Sequence, residues 1–207
     1  MTKEEKVKEI IKRLKKLYPS PKTALEFSNP HEILFATILS AQATDKLVNT
    51  VTPALFAKYK TVKDYADASL EEIDEMIRKV NFHNNKAKSI KAAAEMIVAQ
   101  HSGKVPNNME DLDALPGVAR KTANVVLGSA FGIAEGVVVD THVMRLATRL
   151  GLTEQKDPVK IEQDLMKIVP RISWIEFPHL LILYGREYAP ARPKKGVDDI
   201  LRDLYIN

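Results

Sequence analysis

The segment Leu115-Pro116-Gly117-Val118-Ala119-Arg120-Lys121-Thr122-Ala123 stops one helix and starts another. Asp111, Leu112 and Ala114 lead into it as a helix end, and Pro116-Gly117 cannot continue that helix. Helical periodicity resumes near Ala119 and runs through Val125, Val126 and Leu127. Pro-Gly therefore makes a hairpin of about two to four residues between two helices. Such a hairpin turns backbone N–H groups outward at the start of the second helix, where the helix dipole favours an anion. For a basic chain the natural anion is a DNA phosphate, and contact through the backbone positions a duplex without reading its sequence. An ordinary interhelical turn has the same local sequence, so the neighbouring stretches must decide.

Outward from the hairpin the chain reads as helices. Asn29-Pro30 supplies an N-cap and a proline at the first helical position, followed by Ile33, Leu34, Ile38 and Leu39 on one face. Thr2 with Glu5, and Ser69 with Glu72, have capping-box spacing. Residues 84–100, rich in Ala and Lys, stop before Gly103, and Asp157-Pro158 opens a helix bearing Ile161, Leu165 and Ile168 that Pro170 ends. Residues 174–188 and 197–206 are again apolar-periodic. The strand-like runs, Gly136 to Val139 and Leu180 to Leu183, are too short to support a sheet. The fold class is all-α. Five of the eight glycines lie between Gly117 and Gly151. Glycine is disfavoured inside helices, so tight turns and close backbone approach concentrate there, and chemistry is expected there.

The chain has 207 residues, enough for one large domain or two small ones. Its 45% hydrophobic and 28% charged residues rule out wholesale disorder. The absence of cysteine excludes a disulfide framework, cysteine-ligated zinc or iron–sulfur, and a cysteine nucleophile. The first residues, Met1-Thr2-Lys3-Glu4-Glu5, have no apolar signal core, and no apolar run approaches about 18 residues. A cytosolic protein is expected, with monomer as the default state. The net charge is +4, and segment 3–16, with seven basic and three acidic residues, matches that whole excess. Val7, Ile10, Ile11, Leu14 and Leu17 make this segment an amphipathic helix whose basic face is either solvated or phosphate-binding.

Beyond Phe131-Gly132, the run Val137-Val138-Val139-Asp140-Thr141-His142-Val143 delivers a carboxylate to the start of a helix carrying Val143, Leu146 and Leu150. Asp140 is placed as an N-cap. An apolar approach on one side and a helix terminus on the other would also hold it rigidly for catalysis. Lys121 lies beside a helix N-terminus and the cation Arg120, an environment that lowers an amine's pKa and makes it nucleophilic near neutral pH.

Leu-Pro-Gly-Val-x-Arg-Lys-Thr-Ala followed by Val-Asp-Thr-His resembles the helix-hairpin-helix signature of the endonuclease III family of DNA glycosylases. Ile38-Leu39-Ser40-Ala41-Gln42-Ala43-Thr44-Asp45 and Phe82-His83-Asn84-Asn85-Lys86-Ala87 resemble two further motifs of that family, and the likeness spans roughly residues 30–192. The resemblance implies two helical lobes, a six-helix domain over residues 22–134 and a second built from 1–21 with 135–207, with DNA in a cleft between them. It implies base-excision repair by a bifunctional enzyme that flips out a damaged, oxidised pyrimidine, cuts the glycosidic bond and cleaves the abasic strand by β-elimination. Lys121 is then the nucleophile at C1′. Asp140 stabilises charge on the sugar or helps deprotonate the lysine. Gln42 plugs the vacated stack, Phe82 is an apolar wedge, and Leu115, Gly117, Val118, Ala119 and Arg120 meet the backbone. His142 supports the site or makes a structural hydrogen bond. Outside the resemblance, Gln42 reads as a surface residue at a helix end and Phe82 as core. The implied partner is double-stranded DNA with a damaged base or an abasic site, in a prokaryotic cytoplasm at the nucleoid, without a membrane.

Three departures qualify the likeness. Ala119 replaces a glycine of the hairpin, tolerable if that residue is already helical. Asn81 stands where a glycine commonly precedes the wedge and can supply the left-handed backbone itself. The family usually carries a [4Fe–4S] cluster on four cysteines. Here the equivalent stretch, Gly185 to Asp198, places Ala189, Lys195 and Asp198 near three ligand positions. No cofactor is therefore expected, and Ile200, Leu201, Leu204 and Tyr205 should close the lobe as an apolar helix. Arg192, Lys194 and Lys195 form either a phosphate-binding loop or a solvated surface. The five histidines, His31, His83, His101, His142 and His179, have no metal-binding helical spacing, so no metal is expected. Two other functions fit less of the sequence: a single-function mismatch thymine or uracil glycosylase, and a non-catalytic DNA-binding module.

Overall fold

The computed structural model describes residues 1–190 and 199–206. Its eleven α-helices are α1 (Lys3–Leu17), α2 (Pro30–Ser40), α3 (Asp45–Lys58), α4 (Val62–Asp67), α5 (Leu70–Ile77), α6 (His83–His101), α7 (Met109–Asp113), α8 (Arg120–Val126), α9 (Thr141–Arg149), α10 (Pro158–Ile168) and α11 (Glu176–Glu187). No strand occurs among the described residues. Leu180 to Leu183 lies within α11, while Val137 to Val139 is extended chain that buries Val137 and Val139 and leads into α9. The chain divides into two compact units, Thr23–Ile133, and Met1–Lys22 with Ala134–Asn207.

The unit Thr23–Ile133 holds seven α-helical segments, one more than the resemblance implies, the shortest being α7. Side-chain caps start most of them. Asn29 accepts from Glu32 N–H, Thr44 from Leu47 N–H, and Thr61 and Ser69 form capping boxes with Asp64 and Glu72. The fully buried Ile33, Leu34, Phe35 and Leu39 of α2 pack with Ile90, Ala94 and Ile97 of α6 and Val126 of α8. A long helix with alanines on its inner face lets α2, α4 and α5 gather around α6, while α8 packs on α2 and α7. After α8 the chain widens into a π-helical turn, Leu127–Phe131, which Gly132 ends at φ +66°. Nothing in the sequence pattern announced that turn.

In the other unit α1, α9, α10 and α11 share a core that includes Val7, Ile10, Leu14, Val143, Leu146, Leu165, Phe177 and Leu181. Thr2 and Glu5 close the capping box that starts α1. Three of the seven cations of α1 are engaged within the unit. Lys6 Nζ donates to the carbonyls of Leu150 (2.9 Å) and Leu204 (3.0 Å). Arg13 grips both carboxylate oxygens of Asp203 and the Ile200 carbonyl, and Lys15 pairs with Glu176 at 2.5 Å. These three side chains serve the unit's own packing, while Lys3, Lys8, Lys12 and Lys16 of the same helix are exposed. The C-terminal segment differs from expectation too. Ile200 to Tyr205 is a turn with a 3-10 helix at Arg202–Leu204, not an α-helix, although Leu201 and Leu204 are buried as expected.

Candidate active site

Leu115-Pro116-Gly117-Val118 is a four-residue turn closed by Val118 N–H donating to the Leu115 carbonyl at 3.0 Å. Proline at its second position and a glycine at φ +78° at its third are the requirements of a type II turn. Gly117 is needed twice over, since a Cβ there would also stand 2.5 Å from Ser89 Cβ on α6. Leu115 and Val118 bury their side chains in the core, so only their backbone is available to a ligand, and the Val118 N–H is already used by the turn. Ala119 is not helical. It is the N-cap of α8, extended at φ −110° and ψ 167°, a conformation any residue adopts, so its methyl is tolerated for that reason. No side chain caps α8, whose own ladder begins with Ala123 N–H bonded to Ala119 O. The N–H groups of its first turn are thus not consumed by the helix. Lys121 is the second residue of α8 and is exposed, and Arg120 before it is half-buried.

Asp140 caps α9, its Oδ1 accepting from Val143 N–H at 2.8 Å. The carboxylate is half-buried, with one oxygen engaged in a bond that fixes its direction. His142 is the second residue of α9, with a buried Nδ1 that has no hydrogen-bond partner among the described residues. Burial holds its imidazole below the ordinary value; Asp140 opposes that shift, and Arg186 and Arg145 add to it. Gly185 of α11 explains the close approach. A Cβ at Gly185 would meet His142 Nδ1 at 3.0 Å and Leu146 Cδ1 at 3.1 Å.

Gln42 and Phe82 share a rare property. Both are non-glycine residues in the left-handed region, at φ +53° and +59°. Such backbone costs about 1–2 kcal/mol per residue. Phe82 is also 59% exposed, which removes the reading of it as core. The left-handed residue is the expected wedge itself and not Asn81, as the sequence had suggested. Asn81 instead donates from Nδ2 to the Gln42 carbonyl at 3.3 Å, so the two loops are joined.

The residues near the expected cluster positions do not fit an iron–sulfur group. Four thiolates are required and the chain has no cysteine. Ala189 offers a buried methyl. Its carbonyl accepts from Arg145 Nη2 at 2.5 Å, and its N–H donates to Tyr184 O at 3.1 Å. Lys195, Asp198, Arg192 and Lys194 lie outside the described residues. Beside this stretch stands a polar clamp. Asp199 accepts from the hydroxyls of Tyr184 and Tyr205, the latter at 2.7 Å, and Arg149 stacks 3.8 Å over the Tyr205 ring. Burial, and then the bond to Asp199, push the Tyr205 hydroxyl's pKa well up, so it stays a donor. No His/Cys/Asp/Glu group able to hold a metal occurs among the described residues.

Sequence reasoning quoted Lys86 inside a motif but gave it no role. The side chain is 6% exposed and donates to the carbonyls of Leu39 (2.7 Å) and Ala41 (2.6 Å), just before Gln42. The signal was available: Lys86 falls on the helical face of Ile90, Ala93, Ala94 and Ile97, a lysine in an apolar stripe.

Residues 35–171 match the HhH-GPD superfamily base excision DNA repair protein family. Endonuclease III of Synechocystis sp. is 51% identical over 191 residues, covering 92% of this chain and 87% of its own. Endonuclease III of Bacillus subtilis is 42% identical over 189 residues, covering 91% and 86%. A solved structure of a trapped endonuclease III–DNA covalent intermediate, in an estranged-adenine complex, matches with a TM-score of 0.92 at 38% identity, over 99% of this chain and 96% of that one.

Proposed function

The chain belongs to the endonuclease III family of base-excision DNA repair enzymes, and we propose that its DNA glycosylase and abasic-site lyase chemistry runs through Lys121 and Asp140 on DNA carrying an oxidised pyrimidine. The observation that carries this reading is the exposed Lys121 on the uncapped first turn of α8, directly behind the Pro116-Gly117 turn. A lysine here has what a serine would lack, an amine that stays covalently attached after the base has left.

In the first step the Lys121 amine attacks C1′, the glycosidic C–N bond breaks, and the bonding pair leaves with the base. Positive charge builds on the sugar as this bond lengthens, and an ionised Asp140, fixed by its bond to Val143 N–H, stabilises it. The amine-linked sugar then opens to a Schiff base. Its iminium draws electrons from C2′, a proton leaves C2′, and the 3′ phosphate departs by β-elimination. Neither metal nor redox cofactor takes part in any of these steps. Backbone N–H groups at the start of α8 hold a phosphate near the target nucleotide. Extruding the base costs a few kcal/mol and leaves a gap; Phe82 wedges that gap and Gln42 fills it. The enzyme works where the chromosome is, which for a prokaryotic member is the cytoplasm. No helix among the described residues is long and apolar enough to cross a membrane.

The test is to incubate the protein with a duplex carrying thymine glycol or a preformed abasic site and then add borohydride. A covalent adduct that Lys121→Ala abolishes supports the reading. Base release without trapping would replace it with a single-function glycosylase, and binding without either would replace it with a DNA-binding module.

A further inference from the structure

The start of α6 grips the end of α2. Lys86, buried among the apolar side chains of α6, meets no carboxylate among the described residues; its partners there are the carbonyls of Leu39 and Ala41. A cation buried with carbonyl partners alone is an expensive arrangement, and an apolar side chain of similar length would fill the same space. The gain is therefore geometric. Leu39 and Ala41 lie at the C-terminus of α2, where the helix leaves its last carbonyls unpaired and its dipole favours a cation.

The two peptide planes that flank the Gln42 Cα are both held. The Ala41 carbonyl, on the plane that sets φ of Gln42, accepts from Lys86 at 2.6 Å. The Gln42 carbonyl, on the plane that sets ψ, accepts from Asn81 at 3.3 Å. The donors bracket Phe82, itself left-handed: Asn81 directly precedes it and Lys86 stands in the first turn of α6 that it opens. A strained backbone persists only where its surroundings over-determine it, and these two bonds do so for Gln42.

We propose that Lys86 and Asn81 are positioning residues for base flipping, clamping the backbone on either side of Gln42 so that the plug and the Phe82 wedge act as one rigid device. This rests on the reading of Gln42 as plug and Phe82 as wedge, and it goes beyond that reading in assigning what sets their geometry. Insertion of a plug matters only in a duplex. A single-stranded abasic site needs no gap filled, so its β-elimination serves as an internal reference.

The experiment compares single-turnover excision of thymine glycol from a duplex with β-elimination on a single-stranded abasic oligonucleotide. It uses the intact chain, Lys86→Met, Asn81→Ala, Gln42→Ala and the Lys86→Met/Gln42→Ala double variant. The ratio of the two rates is insensitive to the fraction of protein folded. Asn81 is exposed, so its variant keeps the test available should Lys86→Met fold poorly. The ratio is expected to fall about tenfold in Lys86→Met and a few-fold in Asn81→Ala. Adding Lys86→Met to Gln42→Ala is expected to lower it no further, because the lysine acts through Gln42. A lowered ratio in Gln42→Ala with a wild-type ratio in Lys86→Met and Asn81→Ala overturns the proposal while leaving the plug intact. Multiplying effects in the double variant overturn it as well, since they place Lys86 outside the plug. A wild-type ratio in Gln42→Ala removes the plug reading itself, and the proposal with it.

Discussion

Phe82 combines two features that folding alone disfavours, a left-handed backbone on a bulky residue and an aromatic ring that is 59% exposed. Folding contributes no reason for either, whereas a ring that enters a duplex needs both exposure and a fixed direction. Phe82→Gly should therefore relieve strain and leave stability unchanged or raised by about 1 kcal/mol. It should at the same time slow excision from duplex DNA, as read by denaturant melts beside single-turnover assays. Asp140 presents the opposite case, a residue whose structural and chemical roles overlap. Asn caps a helix about as well as Asp, so Asp140→Asn should stay within about 0.5 kcal/mol of the parent stability. If its charge serves the sugar, base release should fall by about a hundredfold or more. A variant as active as the parent would reduce Asp140 to a cap. The sequence made both residues visible through their motifs, but the backbone angle of Phe82 was not visible. A left-handed angle is expected of glycine or Asn; here it falls on Phe82, and on Gln42, whose flanking carbonyls accept from Lys86 and Asn81.

Among the elements, the hairpin was the most legible, because Pro-Gly dictates a type II turn by backbone sterics alone. Gly117→Ala should cost about 2 kcal/mol or more, since positive φ and the clash with Ser89 add together. A thermal melt measures this, and a shift near zero would mean that the turn is not tied to α6. The capping pairs at Thr2, Asn29, Ser69 and Asp157 were likewise readable and are made as expected. The fate of the α1 cations was not readable. Periodicity shows which residues face outward but not that a long side chain curls back, as Lys6 and Arg13 do to carbonyls of the C-terminal segment. The histidines give an element-level pH response. Burial holds both His31 and His142 below the ordinary value, with nearby carboxylates opposing the shift. The unfolded chain then takes up protons first as pH falls. Stability is fully present above about pH 6.5 and is lost as pH falls from there through the lower folded-state values. Thermal midpoints should decline between about pH 6.5 and 5, and His31→Gln should flatten that limb for the unit holding α2.

At the scale of the whole molecule, the missing cysteines matter more than the small net charge. The C-terminal segment is tied by Asp199, Tyr184, Tyr205 and Arg149, and by Lys6 and Arg13 reaching from α1. Asp199→Ala leaves the Tyr184 and Tyr205 hydroxyls without their acceptor and should cost about 2–3 kcal/mol. Chelators should leave the melting temperature unchanged, and the purified protein should carry no stoichiometric iron and no visible absorption band. Only part of this was legible. The apolar spacing marked Leu201 and Leu204 as closure, and both are buried. The Tyr–Asp–Arg clamp joins residues far apart in the chain, and no local pattern encodes it. A duplex held through its phosphates should bind less tightly as salt is added. The claim on which the rest depends is that Lys121 forms the covalent bond to the sugar. It is tested most directly by reducing the protein–DNA intermediate with borohydride, digesting the adduct and locating the modified residue by mass spectrometry. A single adduct on Lys121 is the expected result, and an adduct on any other lysine would contradict the account.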